Sequence, residues 1–244
     1  MSVILLPTFN MSVMRYVLVI LFCLPFMVKA QINLVPNPSF EDTISCPINI
    51  SNMADCKNWI QPTAGTSDYF NSCAQASSNA GIPQNFWGNK QTNSGNAYCG
   101  ISVFVMGTSS REYLQVELLD TLENLNYNVE FYFSAGNLAN GSNYGTSVIV
   151  KNIGVQFSDT ALASGQFGVL NYTINNTVFD TNCITQFDNV NWYRFSAVYN
   201  ATGGEKFITL GNFHSDLLSS LLIDVSQPNA PLSSYIYIDE CYII

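Results

Sequence analysis

Apolar and polar residues alternate with a period of two along much of the chain after residue 97. In Tyr127-Asn-Val-Glu-Phe-Tyr-Phe-Ser134 the odd positions are Tyr, Val, Phe and Phe, so they would face a core while the even positions face outward. Comparable runs predict eight strands in all: 32–35, 98–105, 113–118, 127–134, 152–157, 192–199, 206–213 and 235–244. The pattern therefore predicts an all-β domain.

Residues 46–96 differ in composition: they are rich in Asn, Ser, Gln, Gly and Pro and show no sustained hydrophobic periodicity. We expect elaborate loops there, and further long connections at 135–150 and 158–188. Such loops are where a β-sandwich usually carries recognition. The Thr-Gly-Gly-Glu sequence at 202–205 lies between two predicted strands and predicts a hairpin turn.

The first thirty residues have the pattern of a targeting segment. Arg15 precedes an unbroken apolar run from Tyr16 to Val28, and small residues at Val28 and Ala30 favour cleavage near Ala30. The run is too short for a comfortable membrane span, and no later stretch is long and apolar enough to be one. We predict a signal peptide at 1–30 and one mature domain at 31–244, secreted or held at the outer cell surface.

The net charge argues against anionic partners. Removing residues 1–30 takes away Arg15 and Lys29, which leaves six basic and seventeen acidic residues and a net charge of −11. Such a surface repels phosphate backbones, so neither nucleic acid nor an anionic membrane is an expected partner. Few charges together with many Asn, Ser, Thr, Gly and Tyr favour a β-rich domain.

The mature chain carries six cysteines: Cys46, Cys56, Cys73, Cys99, Cys183 and Cys241. An even number in an exported chain favours disulfides, and spacing leaves the pairing open. The first three crowd one loop-rich segment, so we expect at least one bridge among them. Structural zinc would require closely spaced cysteine pairs or additional histidines, which are absent from the sequence.

The sequence offers more for binding than for catalysis. His214 is the single histidine, and the chain has no nucleophile elbow, phosphate loop or zinc-binding histidine pair. Sugars are bound by flat aromatic faces with amides and carboxylates around them. The loop-rich block has these residue types, and we place the candidate ligand-binding residues there: Trp59, Asp68, Tyr69 and Trp87. Ordinary core packing of these aromatic residues is the alternative.

Several segments carry a family resemblance in a consistent order. The opening Asn33-Leu-Val-Pro-Asn-Pro-Ser-Phe-Glu41 and the ending Tyr235-Ile-Tyr-Ile-Asp-Glu240, with 94–98, 113–118, 126–131 and 192–199 between them, resemble the jelly-roll, galactose-binding-like carbohydrate-binding modules. The segments 59–73, 83–88, 95–98, 111–115 and 211–213 resemble, more closely, the uncharacterised N-terminal module of Bacteroidetes surface proteins of the outer-membrane-protein-A type.

The resemblance to carbohydrate-binding modules implies a jelly-roll β-sandwich of about eight strands with long loops. It also implies a structural calcium ion, held by Glu41 after the first strand and Asp239 on the last, where it would tie the chain ends together. Calcium prefers oxygen ligands, and loop carbonyls near 90–95 could complete its shell. Ordinary solvated acids at these two positions are the alternative.

The sequence thus predicts an exported, noncatalytic module that binds an extracellular or cell-surface glycan. A structural or adhesive protein that binds a protein partner is the first alternative, and a glycoside-acting enzyme is the second, since acids distant in sequence can meet in a cleft.

Overall fold

The computed structural model describes residues 32–75, 77–137, 146–179, 184–186, 188–224, 226 and 230–244. These residues form two 3-10 turns, Met53–Asp55 and Ile174–Asn176, and fourteen strands. The strands are β1 Trp59–Ile60, β2 Asp68–Asn71, β3 Gln84–Asn85, β4 Gly88–Asn89, β5 Ala97–Val105, β6 Tyr113–Glu117, β7 Asn126–Ala135, β8 Val148–Val150, β9 Gly154–Ser158, β10 Thr177–Phe179, β11 Tyr193–Asn200, β12 Phe207–Gly211, β13 Leu221–Ile223 and β14 Ser233–Ile243.

Ten of these strands make two antiparallel sheets. The first sheet has the order β1-β6-β12-β9-β10 and the second the order β11-β7-β14-β5-β2. The strands β13 and β8 form a separate pair, as do β3 and β4. The prediction of an all-β sandwich is confirmed, with more strands than the eight expected.

The two sheets share one apolar core. Alternation along β7 buries Val129, Phe131 and Phe133, as the sequence pattern predicted, and Tyr127 packs against the edge of the same core. Across the sandwich, Phe157 of the first sheet stacks on Tyr199 of the second with ring centroids 3.7 Å apart. Contacts of this kind remove both inner faces from water, which is the main stabilising contribution to such a fold.

The two ends of the described chain meet. Residues 33–35 are not a strand, but the Leu34 N–H donates to the Ile243 carbonyl at 2.9 Å. The Asn33 side chain completes the contact, because its Nδ2 donates to the Cys241 carbonyl and its Oδ1 accepts the Ile243 N–H, both at 3.0 Å. The other seven predicted strands are present within a few residues of their predicted bounds.

The predicted hairpin at 202–205 is wrong, because β11 and β12 belong to different sheets. The segment instead carries the chain from one sheet to the other. The buried Glu205 carboxylate holds it there, accepting the Tyr199 hydroxyl at 2.8 Å and the N–H groups of Thr202 and Gly203 at 2.9 and 3.0 Å. Burial raises the pKa of Glu205, but these hydrogen bonds outweigh it and hold the pKa below its usual value.

Cys46 and Cys73 form a disulfide with their Cα atoms 5.7 Å apart, so the bridge expected within the first three cysteines is confirmed. Cys56, Cys99 and Cys241 are buried thiols. Cys183 and the predicted signal peptide lie outside the described residues. Within the part of the chain that is described, no helix has the length and apolar character needed to cross a membrane.

Candidate functional site

One end of the second sheet is covered on its outer face, the face turned away from the main core. Residues 72–96, described apart from residue 76 and called here the covering segment, lie over β2, β5 and β14. Beneath them is an aromatic cluster of buried Phe70, Tyr98, Tyr235 and Tyr237, joined by the partly buried Trp87 and Trp192. β14 alternates Tyr on its outer face with Ile on its inner face. Both faces of this strand therefore carry large apolar side chains, and both are covered.

The Asp68 carboxylate is the polar centre of this cluster. Asp68 begins β2 and is 2% exposed. Its Oδ2 accepts the Trp87 Nε1–H at 2.8 Å and the Tyr235 hydroxyl at 2.5 Å. Its Oδ1 accepts the Ser51 N–H at 2.6 Å. One carboxylate therefore joins three segments that are far apart in sequence.

The electrostatic environment of Asp68 is unusual for an acid. Burial, reinforced by the negative charge of Glu112, raises the pKa of Asp68 to about 7, even though its three hydrogen bonds act in the opposite direction. Burial also raises the pKa of Glu112, whose carboxylate accepts the N–H groups of Ser102 at 2.7 Å and Thr66 at 2.9 Å. Two acids with raised pKa values thus lie close enough for the charge of one to affect the other.

A second polar network runs beside the first. The buried Asn85 accepts hydrogen bonds at Oδ1 from the Tyr237 hydroxyl at 2.9 Å and from the Trp87 N–H at 2.8 Å. Its Nδ2 donates to the Tyr98 hydroxyl at 2.9 Å, and that hydroxyl donates in turn to the Lys90 carbonyl. These bonds fix the covering segment on the sheet, and they fix the backbone of Trp87 within it.

Trp87 is the half-buried aromatic residue that this arrangement holds most firmly. Its indole stacks on the Tyr235 ring with centroids 4.1 Å apart and an angle of 16° between the planes. Phe86 meets it edge-on at 5.1 Å. The Trp87 carbonyl accepts the Asn137 N–H at 2.9 Å. The ring is therefore immobilised on one face while part of it stays in contact with solvent.

Lys90, which the sequence analysis did not single out, ties the covering segment to the middle of the sheet. Its buried ammonium donates to the Ser134 hydroxyl at 2.6 Å and to the carbonyls of Asn189 and Val190 at 2.9 and 2.8 Å. Burial lowers the pKa of Lys90 to about 8, although the charge of Asp188 acts against this. Ser134 was expected to face outward, and it is buried because Lys90 covers it.

The other two candidate ligand residues lie in the main core. The Trp59 side chain is 1% exposed, packs on Phe40 at 4.9 Å and donates its Nε1–H to the Asn37 carbonyl. Tyr69 is fully buried, and its hydroxyl donates to the Phe40 carbonyl at 2.9 Å. Asp68 and Trp87 are brought together, whereas Trp59, on the first sheet, and Tyr69, on the second, both belong to the main core between the sheets.

The chain-end acids meet the loop that precedes β5. Asp239 is fully buried, and its Oδ2 accepts the N–H groups of Asn93 and Ser94 at 3.0 and 3.1 Å. Glu41 is exposed, and its Oε1 accepts the N–H groups of Asn96 and Ala97 at 2.7 and 3.0 Å. The two acids therefore hold the two halves of one loop.

Hard oxygen ligands for calcium are present at this place. Burial, with the neighbouring charge of Glu240, raises the pKa of Asp239 to about 7. Glu240 accepts a hydrogen bond from the Asn93 side chain beside it. Within the described ranges, no three His, Cys, Asp or Glu side chains gather as a metal-binding group, so a cation here would also need backbone carbonyls. The donor chemistry suits calcium, and calcium at Glu41 and Asp239 remains a prediction.

His214 lies apart from these acids, near the end of the first sheet. Its Nε2 is 3.5 Å from the Tyr172 hydroxyl, and its ring contacts that of Phe179. Burial lowers its pKa, and among the described residues Nδ1 finds no hydrogen-bond partner. Its backbone carbonyl accepts a bond from the buried Arg111, which also pairs with Asp216 at 2.8 Å.

Comparison with known proteins assigns no family to the chain. No family model matches it. No curated protein sequence matches it either. Solved structures resemble it weakly in fold.

Three of these structures are the enzymatically active domain of bacteriophage CBA120 tailspike protein 4, a cyclase from Fischerella sp. TAU, and the K2 cleaved adhesin domain of Lys-gingipain. Their sequence identities to the chain are 11%, 12% and 11%, and their TM-scores are 0.39, 0.49 and 0.41. The similarity covers 87%, 87% and 85% of this chain, but only 21% of the tailspike against 96% of each of the others. All three TM-scores lie below 0.5, so these structures assign neither a ligand nor an activity to this chain.

Proposed function

We propose that the protein is an exported, noncatalytic binding module whose ligand is an extracellular or cell-surface glycan, with Trp87 as the stacking residue. The observation that carries this proposal is the fixed geometry of Trp87, which is stacked on Tyr235 and hydrogen-bonded through Nε1 to Asp68. A sugar ring packs its C–H face on an aromatic ring, and binding is tighter when that ring is already immobilised.

Polar side chains suited to sugar hydroxyls lie in the same hairpin as Trp87 and beside it. The short β3–β4 hairpin presents Gln84 and Asn89, which pair with each other and are exposed. The Asn137 side chain lies against Gly88, next to Trp87 in the chain. Amides both donate and accept hydrogen bonds, so they suit hydroxyl groups, which do the same.

Export is part of the proposal. The Cys46–Cys73 disulfide is typical of proteins that fold outside the reducing cytoplasm. The acidic surface keeps the domain from anionic membranes and nucleic acid. A calcium ion at Glu41 and Asp239 would act only in structure: it would compensate the buried Asp239 charge and strengthen the contact between the loop and the chain ends.

The test is a glycan array probed with the mature chain, residues 31–244, and with two variants. We expect Trp87→Ala to lose binding at least tenfold and Trp192→Ala to retain it. Trp192 is the matched control, since it is also a half-buried tryptophan at the aromatic cluster but bonds to the Gln91 carbonyl instead of Asp68. Thermal melting of each variant shows that it is folded. Equal binding by both variants, or no glycan bound by the wild type, would overturn the proposal.

Adhesion to a protein partner is a second candidate function, and an apolar patch favours it. Leu217 and Leu218 are 97% and 67% exposed, and Met106 is 53% exposed. The Gly107 N–H bonds to the Asp216 side chain, which brings the two segments together. Exposed apolar patches mark protein interfaces. A silent glycan array combined with cell binding that Leu217→Asp abolishes would favour adhesion over sugar recognition.

A further inference from the structure

Two of the buried thiols are neighbours. Cys56 is one of the groups whose interaction raises the pKa of Cys99, and the Cys99 Sγ lies 3.7 Å from the Sδ of Met53, three positions before Cys56. Cys56 ends the first 3-10 turn, where its N–H bonds to the Met53 carbonyl and its Sγ accepts the Asn37 Nδ2–H at 3.5 Å. Cys99 is the third residue of β5, so a loop thiol here lies beside a sheet thiol.

Cys241 is also buried, but the strand register does not place it opposite Cys99. In the pairing of β5 with β14, Cys99 is opposite Ile238, and Cys241 lies three residues further along, within the register shift between Asp239 and Tyr242. Residues directly opposite one another on antiparallel strands have Cα atoms within the range of a disulfide. The register therefore does not pair Cys241 with Cys99.

We propose that Cys56 and Cys99 are oxidised to a second disulfide when the protein folds in an oxidising compartment. The Cys46–Cys73 bridge already places the chain in such a compartment. In the reaction the two S–H bonds of Cys56 and Cys99 break and one S–S bond forms. The two electrons and two protons pass to a disulfide oxidant, either a small molecule or an oxidoreductase, which is reduced to two thiols.

The reaction belongs to folding and not to the finished fold. Burial and the neighbouring Cys56 raise the pKa of the Cys99 thiol, and Cys99 is fully buried, so little thiolate is accessible once the sandwich is closed. After closure the bridge would be shielded from reductants. It would anchor the loop that carries Ser51, whose N–H reaches Asp68. The first disulfide anchors the same loop on its other side.

The test is a disulfide map. The reduced, unfolded mature chain is refolded in a glutathione redox buffer, its free thiols are blocked with N-ethylmaleimide, and it is digested without reduction for mass spectrometry. We expect two cross-linked peptide pairs, Cys46 with Cys73 and Cys56 with Cys99, and a blocked Cys241. Formation of the first pair shows that the oxidant was effective. Blocked Cys56 and Cys99 in that sample, or either one joined to another cysteine, would overturn the proposal.

A second measurement isolates the new bridge. In a variant with Cys46→Ser and Cys73→Ser, oxidised glutathione should raise the melting temperature by about 5 °C or more over the reduced form. Adding Cys56→Ser should abolish that rise, whereas adding Cys241→Ser should leave it intact. A rise that survives Cys56→Ser would show that another pair of cysteines is responsible. If the double variant does not fold, the disulfide map of the wild type decides.

Discussion

The Nε1–H of Trp87 donates a hydrogen bond to the Asp68 carboxylate at 2.8 Å, across 19 positions of sequence. The Tyr235 hydroxyl reaches the same oxygen and places its ring under the indole. A buried acid with a raised pKa thus orients the half-buried Trp87 of the candidate site. Because a hydrogen bond to a charged group is stronger than one to a neutral group, the protonation of Asp68 should affect both stability and the rigidity of Trp87.

Asp68 should make the protein less stable as the pH rises. Its pKa is about 7 in the folded state and near 3.8 in the unfolded state, so between these values the unfolded chain has released a proton that the folded chain still holds. Unfolding is therefore favoured increasingly from about pH 4 to pH 7. The neighbouring Glu112, whose pKa is also raised, acts in the same direction. One pKa unit corresponds to about 1.4 kcal/mol, so we expect a loss of up to about 4 kcal/mol.

Calorimetry at pH 5 and pH 8 measures this effect through the difference between the two melting temperatures. Asp68→Asn should show a smaller difference between the two pH values, because an amide does not titrate. Asp159→Asn, at an exposed acid, is the control and should keep the wild-type difference. An unchanged pH dependence in Asp68→Asn would contradict the prediction.

Sequence alone predicted the long strands well. The period of two along 127–134 identified the core side of β7, because a strand with one buried face and one more solvent-exposed face shows a clear alternation. The short strands β1 to β4 lie in the block predicted as loops, where a strand of two to four residues is too short to show a period. The turn at 202–205 was wrong because a Gly-Gly pair between two strands does not reveal whether they share a sheet.

The arrangement of the candidate site could be predicted only in part, because the covering segment has no sequence periodicity. Asp68 and Trp87 were chosen for their chemistry, and the fold brings them together; their role in ligand binding stays a prediction. Tyr235 and Lys90 were missed because their roles depend on contacts with distant segments. The sequence around Tyr235 carried a usable signal, since a strand with large apolar residues at every position is covered on both faces.

Gly95 should be costly to replace. Its φ is +59°, and an added Cβ would lie 2.2 Å from the Glu41 Oε1. Gly95→Ala therefore combines an unfavourable backbone conformation with displacement of the Glu41 carboxylate from the loop N–H groups that it accepts, and we expect a loss of about 2 kcal/mol in chemical denaturation. Gly107 has a φ of +79° with open space around the Cβ position, so Gly107→Ala reports the backbone cost alone. Equal losses in the two variants would show that the Glu41 contact contributes nothing.

Calcium should raise the melting temperature if it binds at the chain ends as proposed. A ligand that binds only the folded state stabilises it by about 2.7 kcal/mol at a hundredfold excess over its dissociation constant, and a chelator should reverse that gain. Glu41→Gln and Asp239→Asn should each abolish the response to calcium. Glu117→Gln, at an exposed acid on β6, should keep it. A wild-type melting curve that neither calcium nor chelator alters would remove the metal from this site.

Lys90 should be the most costly lysine to replace, because its ammonium is buried and bonded to three acceptors. Lys90→Met keeps the length and the apolar stem of the side chain but removes the charged donor to the Ser134 hydroxyl and to two carbonyls, while the Ser134 hydroxyl keeps its bond to the Asn191 carbonyl. A hydrogen bond to a charged group contributes about 1.5–3 kcal/mol, so we expect a loss of about 2 kcal/mol in chemical denaturation. Lys206→Met, at an exposed position, should change the free energy of unfolding by less than about 0.5 kcal/mol.

Trp192 lies beside the Lys90 ammonium at 5.7 Å, so its fluorescence should shift in Lys90→Met but not in Lys206→Met. Equal stability of the two variants would mean that Lys90 is not what holds the covering segment on the sheet.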